Sequence, residues 1–307
     1  LKQVAFFFIM LPVKIGLQLS VSPYTWGFEL TPFLITAYFI IMMLFASWCF
    51  LKFSKDVAIG IILFSIFIYF GLTNMPWLPL ILIYGLIGFK IGGLKLSLTI
   101  VASFLFITFT GVLPQALLSI YLCGIAVIIS FILGSSLGIW AAHNDKVSAF
   151  MRPINDTMQT MPSFVILIPF VMFFGIGEFT ALLAIIAYAF VPAMRYTEHG
   201  LRNLPETVIE AARMIGCSQT QLLWKVKIPL AMPVIMLGLN QTIMFGLAML
   251  VIAALVGTTG LGQLIYIGLS KADFGTGMIS GVSIALIAII FDRTTQAWRI
   301  KLEKKTQ

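Results

Sequence analysis

The chain has 307 residues, of which 60% are hydrophobic and only 10% are charged. An ordinary soluble domain carries about 25% charged residues, so this composition excludes that class and indicates a chain solvated mostly by lipid. The net charge of +8 does not indicate nucleic-acid binding, because the basic residues lie in short gaps between apolar runs and form a block only in the tail 299–305.

Ten apolar runs are candidate membrane spans, each of which needs about 17–25 residues. The sequence therefore predicts an all-α, polytopic membrane protein. Two runs, 78–92 and 163–177, are short. The second contains Pro169 and reaches only about 22 Å, so we expect it to be tilted or capped by neighbouring protein. In chain order the predicted spans are approximately 4–20, 32–51, 57–73, 78–92, 95–113, 117–141, 163–177, 179–196, 233–256 and 277–297.

The distribution of lysine and arginine predicts the orientation of these spans. With the N-terminus inside and the spans alternating, all but two of the 19 basic residues fall in inside segments. The exceptions are Lys14, within the first span, and Lys271, outside. We therefore expect a multi-pass membrane protein with both termini in the cytoplasm. No cleavable signal peptide is expected, because the first run lacks a small-residue cleavage site.

The longest polar interval, 197–232, is cytoplasmic in this topology. Its segment 204–216 predicts a short helix. Pro205 suits a first-turn position, and Glu206 favours the positive end of the helix dipole. Gly216 suits the left-handed residue that ends a helix. A helix followed by a glycine elbow is therefore expected on the cytoplasmic face.

The residues 218–221 that follow are typical of a capping box opening a second helix. In the first helix, Ala211 and Ala212 allow close approach by another backbone, and Glu210 and Arg213 offer charged hydrogen bonds to a partner. Two interpretations remain open from these residues alone. The elbow either docks a partner protein or is an amphipathic connector lying on the membrane.

The spacing of residues in this loop is distinctive: Glu210-Ala211-Ala212-x3-Gly216-x9-Val226-x-Ile228-Pro229. It resembles the EAA loop of permease subunits in binding-protein-dependent ABC importers, whose pattern is E-A-A-x3-G-x9-I-x-L-P. The chain departs from that pattern only at Val226 and Ile228, which are both apolar exchanges. After Pro229 the chain is expected to re-enter the membrane beyond Pro233.

Several neighbouring segments extend the resemblance to permeases of the glycine betaine/proline type. The similarity covers roughly 77–298. It indicates three parts: N-terminal spans over 1–76 as an extension, a permease transmembrane domain over 77–298, and a basic cytoplasmic tail over 299–307. The segments that carry the similarity are 156–164, 173–177, 229–233, 238–242, 259–263 and 291–297.

The resemblance implies a type I importer permease fold that works as a homodimer in the lipid bilayer of a bacterial inner (plasma) membrane. It also implies an ATP-binding cassette subunit that holds ATP and Mg, and a periplasmic or lipid-anchored receptor that delivers the solute. By the same resemblance, Glu210, Ala211, Ala212 and Gly216 contact the ATP-binding subunit, and Pro229 fixes the return to the membrane. No P-loop pattern occurs in the chain, so ATP binding is expected in the separate subunit.

Three consecutive polar residues, Asn240, Gln241 and Thr242, lie within a predicted span, where polar side chains are costly unless paired. They either form hydrogen bonds between helices or line a translocation pathway. Glu178 and the glycine-rich segment 257–262 are expected at the outer face, as an interfacial carboxylate and an external turn or gate. No catalytic, cofactor or metal site is expected, because no cysteine or histidine has ligand spacing.

The expected function is ATP-driven import, by alternating access, of glycine betaine, choline, proline or a related compatible solute, with no covalent chemistry in this chain. An alternative is a secondary transporter driven by an ion gradient, which would need intramembrane ionisable residues or broken helices in an inverted repeat. Another alternative is a membrane enzyme, which would need clustered acids or histidines. The 11 acidic residues are scattered, so neither alternative is favoured.

Overall fold

The computed structural model describes residues 77–306, with side chains over 81–303, and the single position 40. The chain divides into two compact units, 1–86 and 87–307. The first three predicted spans lie outside the described residues. Helices in chain order are α1 Trp77–Phe109, α2 Leu113–His143, α3 Asp145–Thr160, α4 Ser163–Phe174, α5 Glu178–Arg202, α6 Glu206–Met214, α7 Gln219–Gln221, α8 Ile228–Ile252, α9 Leu261–Ser270 and α10 Phe274–Thr306.

Among the described residues, five helical segments are long and apolar enough to cross a membrane, or six if the bent pair α3 and α4 forms one span. The expected all-α membrane fold is confirmed. The predicted span 163–177 is indeed short, because α4 has 12 residues and extends about 18 Å. It meets α3 at an angle of 103°.

The helix α1 is two helical segments joined at Gly93, whose φ of +75° breaks the helical geometry. A Cβ atom placed on Gly88 would lie 3.4 Å from the Cα of Ser97. Residues nine apart in a continuous helix are separated by about 13.5 Å, so the chain folds back at Gly93. The reversal lies between the predicted spans 78–92 and 95–113, and we call residues 88–97 the Gly93 hairpin of α1.

At the centre of the bundle, α5 packs between α2 and α8, and glycines of α2 and α8 contact α5. A Cβ atom on Gly134 would lie 2.5 Å from the carbonyl oxygen of Phe190, and one on Gly138 would lie 2.6 Å from that of Met194. On the other side of α5, a Cβ on Gly238 of α8 would lie 2.8 Å from the Cβ of Tyr196. These contacts bring helix backbones close together, as small residues do in membrane bundles.

The second predicted helix of the elbow continues into the following span, while re-entry into the membrane beyond Pro233 stays a prediction. Helical backbone runs without interruption from Gln219 to Val256. Between α7 and α8 the six residues Leu222–Lys227 form a π-helix, in which the Ile228 N–H donates to the Leu223 carbonyl oxygen. A proline ring clashes with the carbonyl four residues earlier in an α-helix. The wider π turn relieves that clash at Pro229, so the helix continues.

Two helices were not predicted from the sequence. The interval 142–162, expected to be a loop, contains α3, which begins where the Asn144 side chain accepts hydrogen bonds from the Lys146 and Val147 N–H groups. Its helical form depends on tertiary contacts with α5 rather than on a long apolar run. The short helix α9, within the interval expected to be external, packs against α10 through Gly268 and Gly277.

Basic residues gather at one end of the bundle, which we call the basic end. There Arg202 of α5 donates to Asp145 at the start of α3, and Lys301 of α10 donates to the Lys90 carbonyl oxygen beside the Gly93 turn. The opposite end carries Lys271. These basic residues belong to the segments that the sequence analysis assigned to the inside of the membrane, and Lys271 belongs to a segment assigned to the outside.

The glycine contacts predict opposite effects for one substitution at two positions of α2. Gly138→Ala places a methyl group against backbone and should lower the free energy of unfolding by about 1–3 kcal/mol. Gly124→Ala meets no atom within 4 Å and should leave stability unchanged or raise it. Thermal unfolding of the two purified variants in detergent measures the difference. Equal unfolding midpoints would contradict the assigned packing.

Candidate functional site

The predicted loop helix is present as α6, which projects from the basic end between α5 and the continuous helix that leads into α8. Pro205 occupies the N-cap, one position earlier than the predicted first turn. Glu210 and Ala211 are exposed, whereas Ala212 is buried at 9% exposure. The helix therefore rests on Ala212 and presents Glu210 and Ala211 to the surroundings.

The end of α6 is fixed by backbone hydrogen bonds around Gly216, which has φ of +87°. The Gly216 N–H donates to the Arg213 carbonyl oxygen at 2.9 Å, and the Cys217 N–H donates to that of Ala212 at 3.2 Å. This pair of bonds is the Schellman arrangement. The prediction that Gly216 is the left-handed residue ending the helix is confirmed.

The next helix begins directly after this turn. The Ser218 side chain accepts from the Gln221 N–H at 3.3 Å, and the Gln221 side chain accepts from the Ser218 N–H at 3.0 Å. The predicted capping box is thus confirmed. Leu222, one residue later, is almost fully buried at 1% exposure. The elbow between α6 and α7 is therefore held by caps at both sides, and it is anchored in the body of the protein.

Two strongly exposed apolar side chains extend the elbow surface beyond the predicted residues. Met214 is 88% exposed and Ile215 is 84% exposed, next to the exposed charges of Glu210 and Arg213. Neither charge takes part in an ion pair with another described residue. The sequence contained this signal, since Met214 and Ile215 directly precede the helix-ending glycine. The surface combines an apolar tip with free charges, as protein docking surfaces do.

Of the three predicted pathway residues, Asn240 is buried between α8 and α10. Its Nδ2 donates to Asp292 Oδ1 at 2.8 Å, and its Oδ1 accepts from Thr295 Oγ1 at 2.7 Å. Gln296 Nε2 donates to both oxygens of the Asp292 carboxylate, each at 2.8 Å. We call these four residues the α8–α10 bridge. The sequence could not pair Asn240 with partners that are 52 and 55 positions away.

The other two predicted residues lie apart from this bridge. Thr242 is fully buried, and its hydroxyl donates to the Gly238 carbonyl oxygen of its own helix at 2.8 Å. Gln241 is half-buried. The role of Asn240, Gln241 and Thr242 as a pathway stays a prediction, and the geometry shows that Asn240 bonds between helices.

A polar seam joins α3 to the last turns of α5 at the basic end. Arg202 pairs with Asp145 at 2.7 Å and with Glu198 at 3.1 Å, and Arg195 pairs with Asp156. An open cleft of about 770 Å³ lies along this seam, lined by polar and charged side chains of α3 and α5 that include Arg152. Because the ion pairs are partly exposed, each stabilises the protein by about 0–1 kcal/mol.

At the opposite end, the glycine-rich turn is tied to the starts of α5 and α2. The Gly177 N–H donates to the Val256 carbonyl oxygen at 2.9 Å. Thr259 Oγ1 donates to Glu178 Oε1 at 3.0 Å, and the Leu261 N–H donates to Ser119 Oγ at 2.9 Å. The turn predicted over 257–262 is present and is held by these hydrogen bonds, while its external position stays a prediction.

The loop between α9 and α10, also at this end, contains an acidic cap. Asp273 accepts hydrogen bonds from the hydroxyl and the N–H of Thr276, at 2.7 Å and 3.2 Å. The bond from the Thr276 side chain is the main cause of the lowered pKa of Asp273. The carboxylate is therefore ionised when it caps α10, where its charge favours the helix N-terminus.

No group of three or more histidine, cysteine, aspartate or glutamate side chains in the described region is arranged to hold a metal ion. Cys123 is a buried free thiol and Cys217 a half-buried one, while Cys49 lies outside the described residues. His143 and His199 are exposed.

Comparison with protein families matches residues 134–298 to the binding-protein-dependent transport system inner membrane component. Among curated relatives, the glycine betaine/proline betaine transport system permease protein ProW of Escherichia coli is 40% identical over 226 residues, covering 74% of this chain and 64% of that protein. The chain thus spans just under two thirds of that relative.

Two further relatives differ in how much of them the chain covers. The glycine betaine transport system permease protein OpuAB of Bacillus subtilis is 36% identical over 266 residues, which are 86% of this chain and 94% of that protein. The trimethylamine N-oxide transport system permease protein TmoV of Pelagibacter ubique is 42% identical over 226 residues, which are 73% of this chain and 31% of that protein.

Among solved structures, a chain of the inward-facing MetNI methionine ABC transporter matches with a TM-score of 0.56 and 19% identity. The match covers 60% of this chain and 93% of that chain. This similarity concerns the fold, and it confirms the expected type I importer permease architecture for the described region.

Because Gly216 adopts a left-handed conformation after α6, different substitutions there should loosen the end of α6 to different extents. A side chain at this φ costs about 1–2 kcal/mol, so Gly216→Ala should loosen the end of α6, while Gly216→Asn should have a smaller effect. Hydrogen–deuterium exchange of the peptide covering 206–217 measures the loosening. Gly177→Ala, at the opposite end, is the control and should leave that peptide unchanged. Equal exchange in the Gly216 variants and wild type would contradict the capping role.

Proposed function

This chain belongs to the family of inner membrane components of binding-protein-dependent transport systems, and from that membership we propose that it is the permease subunit of an ATP-driven importer of small quaternary-ammonium solutes. The observation that carries the proposal is the α6 elbow. It combines an exposed Glu210, an exposed apolar tip and caps on both sides, in a loop whose sequence follows the EAA pattern. Such a surface suits docking of a separate protein subunit.

The proposed partner at α6 is an ATP-binding cassette subunit, which holds ATP and Mg. The chain has no P-loop pattern, so its own residues supply the docking surface and the path through the membrane. Glu210 and Arg213 can pair with charges on the partner, and Met214 and Ile215 can fill an apolar groove. Ala212 and Gly216 act indirectly, because they seat and end the helix that carries these side chains.

Transport is proposed to use alternating access in a homodimer. When ATP draws two partner subunits together, the two docked α6 helices are drawn together as well. The helical backbone that begins at Gln219 passes this displacement into α8 without a flexible joint. A cavity between the two permease copies then opens toward the receptor, which delivers the solute. Hydrolysis of ATP closes that side and opens the cavity to the cytoplasm.

The proposed solutes carry a methylated, positively charged nitrogen. Glycine betaine, proline betaine and trimethylamine N-oxide appear in the names of relatives that are 36–42% identical to this chain, and they share that group. Choline carries the same group. Proline, whose ring nitrogen is charged but not methylated, is a further candidate only as a member of the broader class of compatible solutes. Discrimination by cation–π contacts is assigned to the receptor.

Charge reversal at the centre of the elbow tests the docking proposal. Glu210→Arg should remove most of the ATP-binding subunit that co-purifies with the permease and should abolish uptake, because a charge pair that is broken in a buried interface costs about 2–5 kcal/mol. Pull-down from cells co-expressing the transport system and uptake of labelled solute measure both effects.

Lys271→Glu is the matched control, since it reverses an exposed charge at the opposite end of the bundle. It should retain the ATP-binding subunit. Retention of that subunit by Glu210→Arg would contradict the docking site. Solute uptake that depends on an ion gradient and needs no ATP-binding subunit would overturn the importer proposal itself.

The solute class has its own test. In cells whose other betaine transporters are deleted, the complete system should import labelled glycine betaine, and unlabelled proline betaine or trimethylamine N-oxide should compete with it. Methionine, which lacks a methylated nitrogen, is the control competitor. Import that methionine inhibits as well as proline betaine does would contradict the assigned class.

A further inference from the structure

The α8–α10 bridge suggests a role for Asn240 and Asp292 beyond holding two helices together. We propose that the bridge is the positioning device that carries the movement of α6 from α8 to α10. This inference rests on the proposed function, because it requires a partner subunit that displaces α6. Both residues act through the helices that they join.

A continuous helix connects the elbow after α6 to Asn240 of the bridge. From Gln219 to Val256 the backbone is continuously helical, and its first turn is closed by the Ser218 capping box. Asn240 lies 21 residues after Gln219, at a distance of about 32 Å along an uninterrupted helix. A displacement at the elbow therefore reaches Asn240 as a movement of the whole helix.

The helix that the bridge is proposed to move is α10, which packs against α8 and α9. Its last turns also contact the hairpin of α1. A Cβ atom on Gly92 would lie 3.3 Å from the Cβ of Ala297, and Lys301 donates to the Lys90 carbonyl oxygen. These contacts begin within one turn of Gln296. A shift of α10 at the bridge is therefore passed on to the Gly93 hairpin at the basic end.

The chemistry of the bridge makes the two helices move together. Asp292 accepts three hydrogen bonds from two amides, and among the described residues no cation pairs with its carboxylate. Hydrogen bonds to a carboxylate are stronger than those between neutral groups, and leaving such an acceptor unpaired at this partly buried position is costly.

The bridge also fixes the register of the two helices. The Asn240 amide uses its oxygen for Thr295 and its nitrogen for Asp292, which lie within one turn of α10. Sliding α10 by one residue past α8 would break both bonds at once. The bridge therefore opposes independent sliding, which a purely apolar contact would permit.

A swap of the two side chains tests this assignment. Asn240→Asp places two carboxylates face to face and should reduce transport by about tenfold or more, as strongly coupled pairs do. The double variant Asn240→Asp with Asp292→Asn restores one carboxylate and one amide. It keeps an acceptor for Thr295 and for Gln296, so it should recover transport to within about threefold of wild type.

The readout is the number of solute molecules imported per ATP hydrolysed, measured on the complete transporter reconstituted in liposomes. For Asn240→Asp we expect ATP hydrolysis to continue while its stimulation by receptor and solute is lost. Ser283→Ala is the matched control. It removes a fully buried hydroxyl of α10 that bonds only to the Ile279 carbonyl oxygen of its own helix, and it should transport normally.

Three outcomes would overturn the inference. Asn240→Asp could transport solute as wild type does, or the double variant could be no more active than Asn240→Asp. The third is loss of assembly with the ATP-binding subunit in Asn240→Asp and its return in the double variant, which would assign the bridge to folding. A wild-type complex whose ATP hydrolysis does not respond to receptor and solute would instead contradict the proposed function.

Discussion

Backbone hydrogen bonding is the constraint on which the rest of this structure depends. In the hydrocarbon region no water is available to N–H and C=O groups, so each must be paired within the protein. The chain meets this condition by keeping helices continuous where sequence alone would break them. The helix also continues past Pro229 at the basic end, where the six residues before Ile228 adopt π-helical bonding, so that α7 and α8 form one unbroken rod.

Backbone groups are also paired at the end of this rod that faces α6. Toward α6, the carbonyl groups of Ala212 and Arg213 receive the N–H groups of Cys217 and Gly216, and Ser218 and Gln221 cap the next helix. The elbow is thus an ordered turn with few free backbone groups. A surface carried on such a turn can transmit force, because its displacement cannot be absorbed by fraying of the helix ends.

The sequence predicted those features that depend on composition or on local pattern. Apolar runs predicted the spans, and the placement of Gly216 and of residues 218–221 predicted the two helix ends around the elbow. It did not predict α3, whose helix is stabilised by pairs with α5 such as Asp145 with Arg202. Nor could it distinguish between the alternatives for Asn240, because its partners belong to a helix 52 residues later.

The bundle contains close glycine contacts and partly exposed ion pairs, which differ in how strongly they resist movement of the helices. The helices α2, α5 and α8 meet at Gly134, Gly138 and Gly238, where added Cβ atoms would lie 2.5–2.8 Å from neighbouring atoms. Interfaces this close resist sliding, because any shift drives atoms into one another. We infer that these three helices move as one body. The basic-end seam between α3 and α5 is held instead by partly exposed ion pairs, which are weak enough to rearrange.

The helix α10 belongs to neither group. It meets α8 through one buried and one partly buried hydrogen bond rather than through glycine contacts, and its first turns lie against α9 at Gly268 and Gly277. A helix attached in this way follows the central body only as far as its polar bonds hold. The bridge at Asn240 and Asp292 is therefore the place where a change of one side chain can separate the movement of α10 from that of the elbow while the central glycine contacts stay intact.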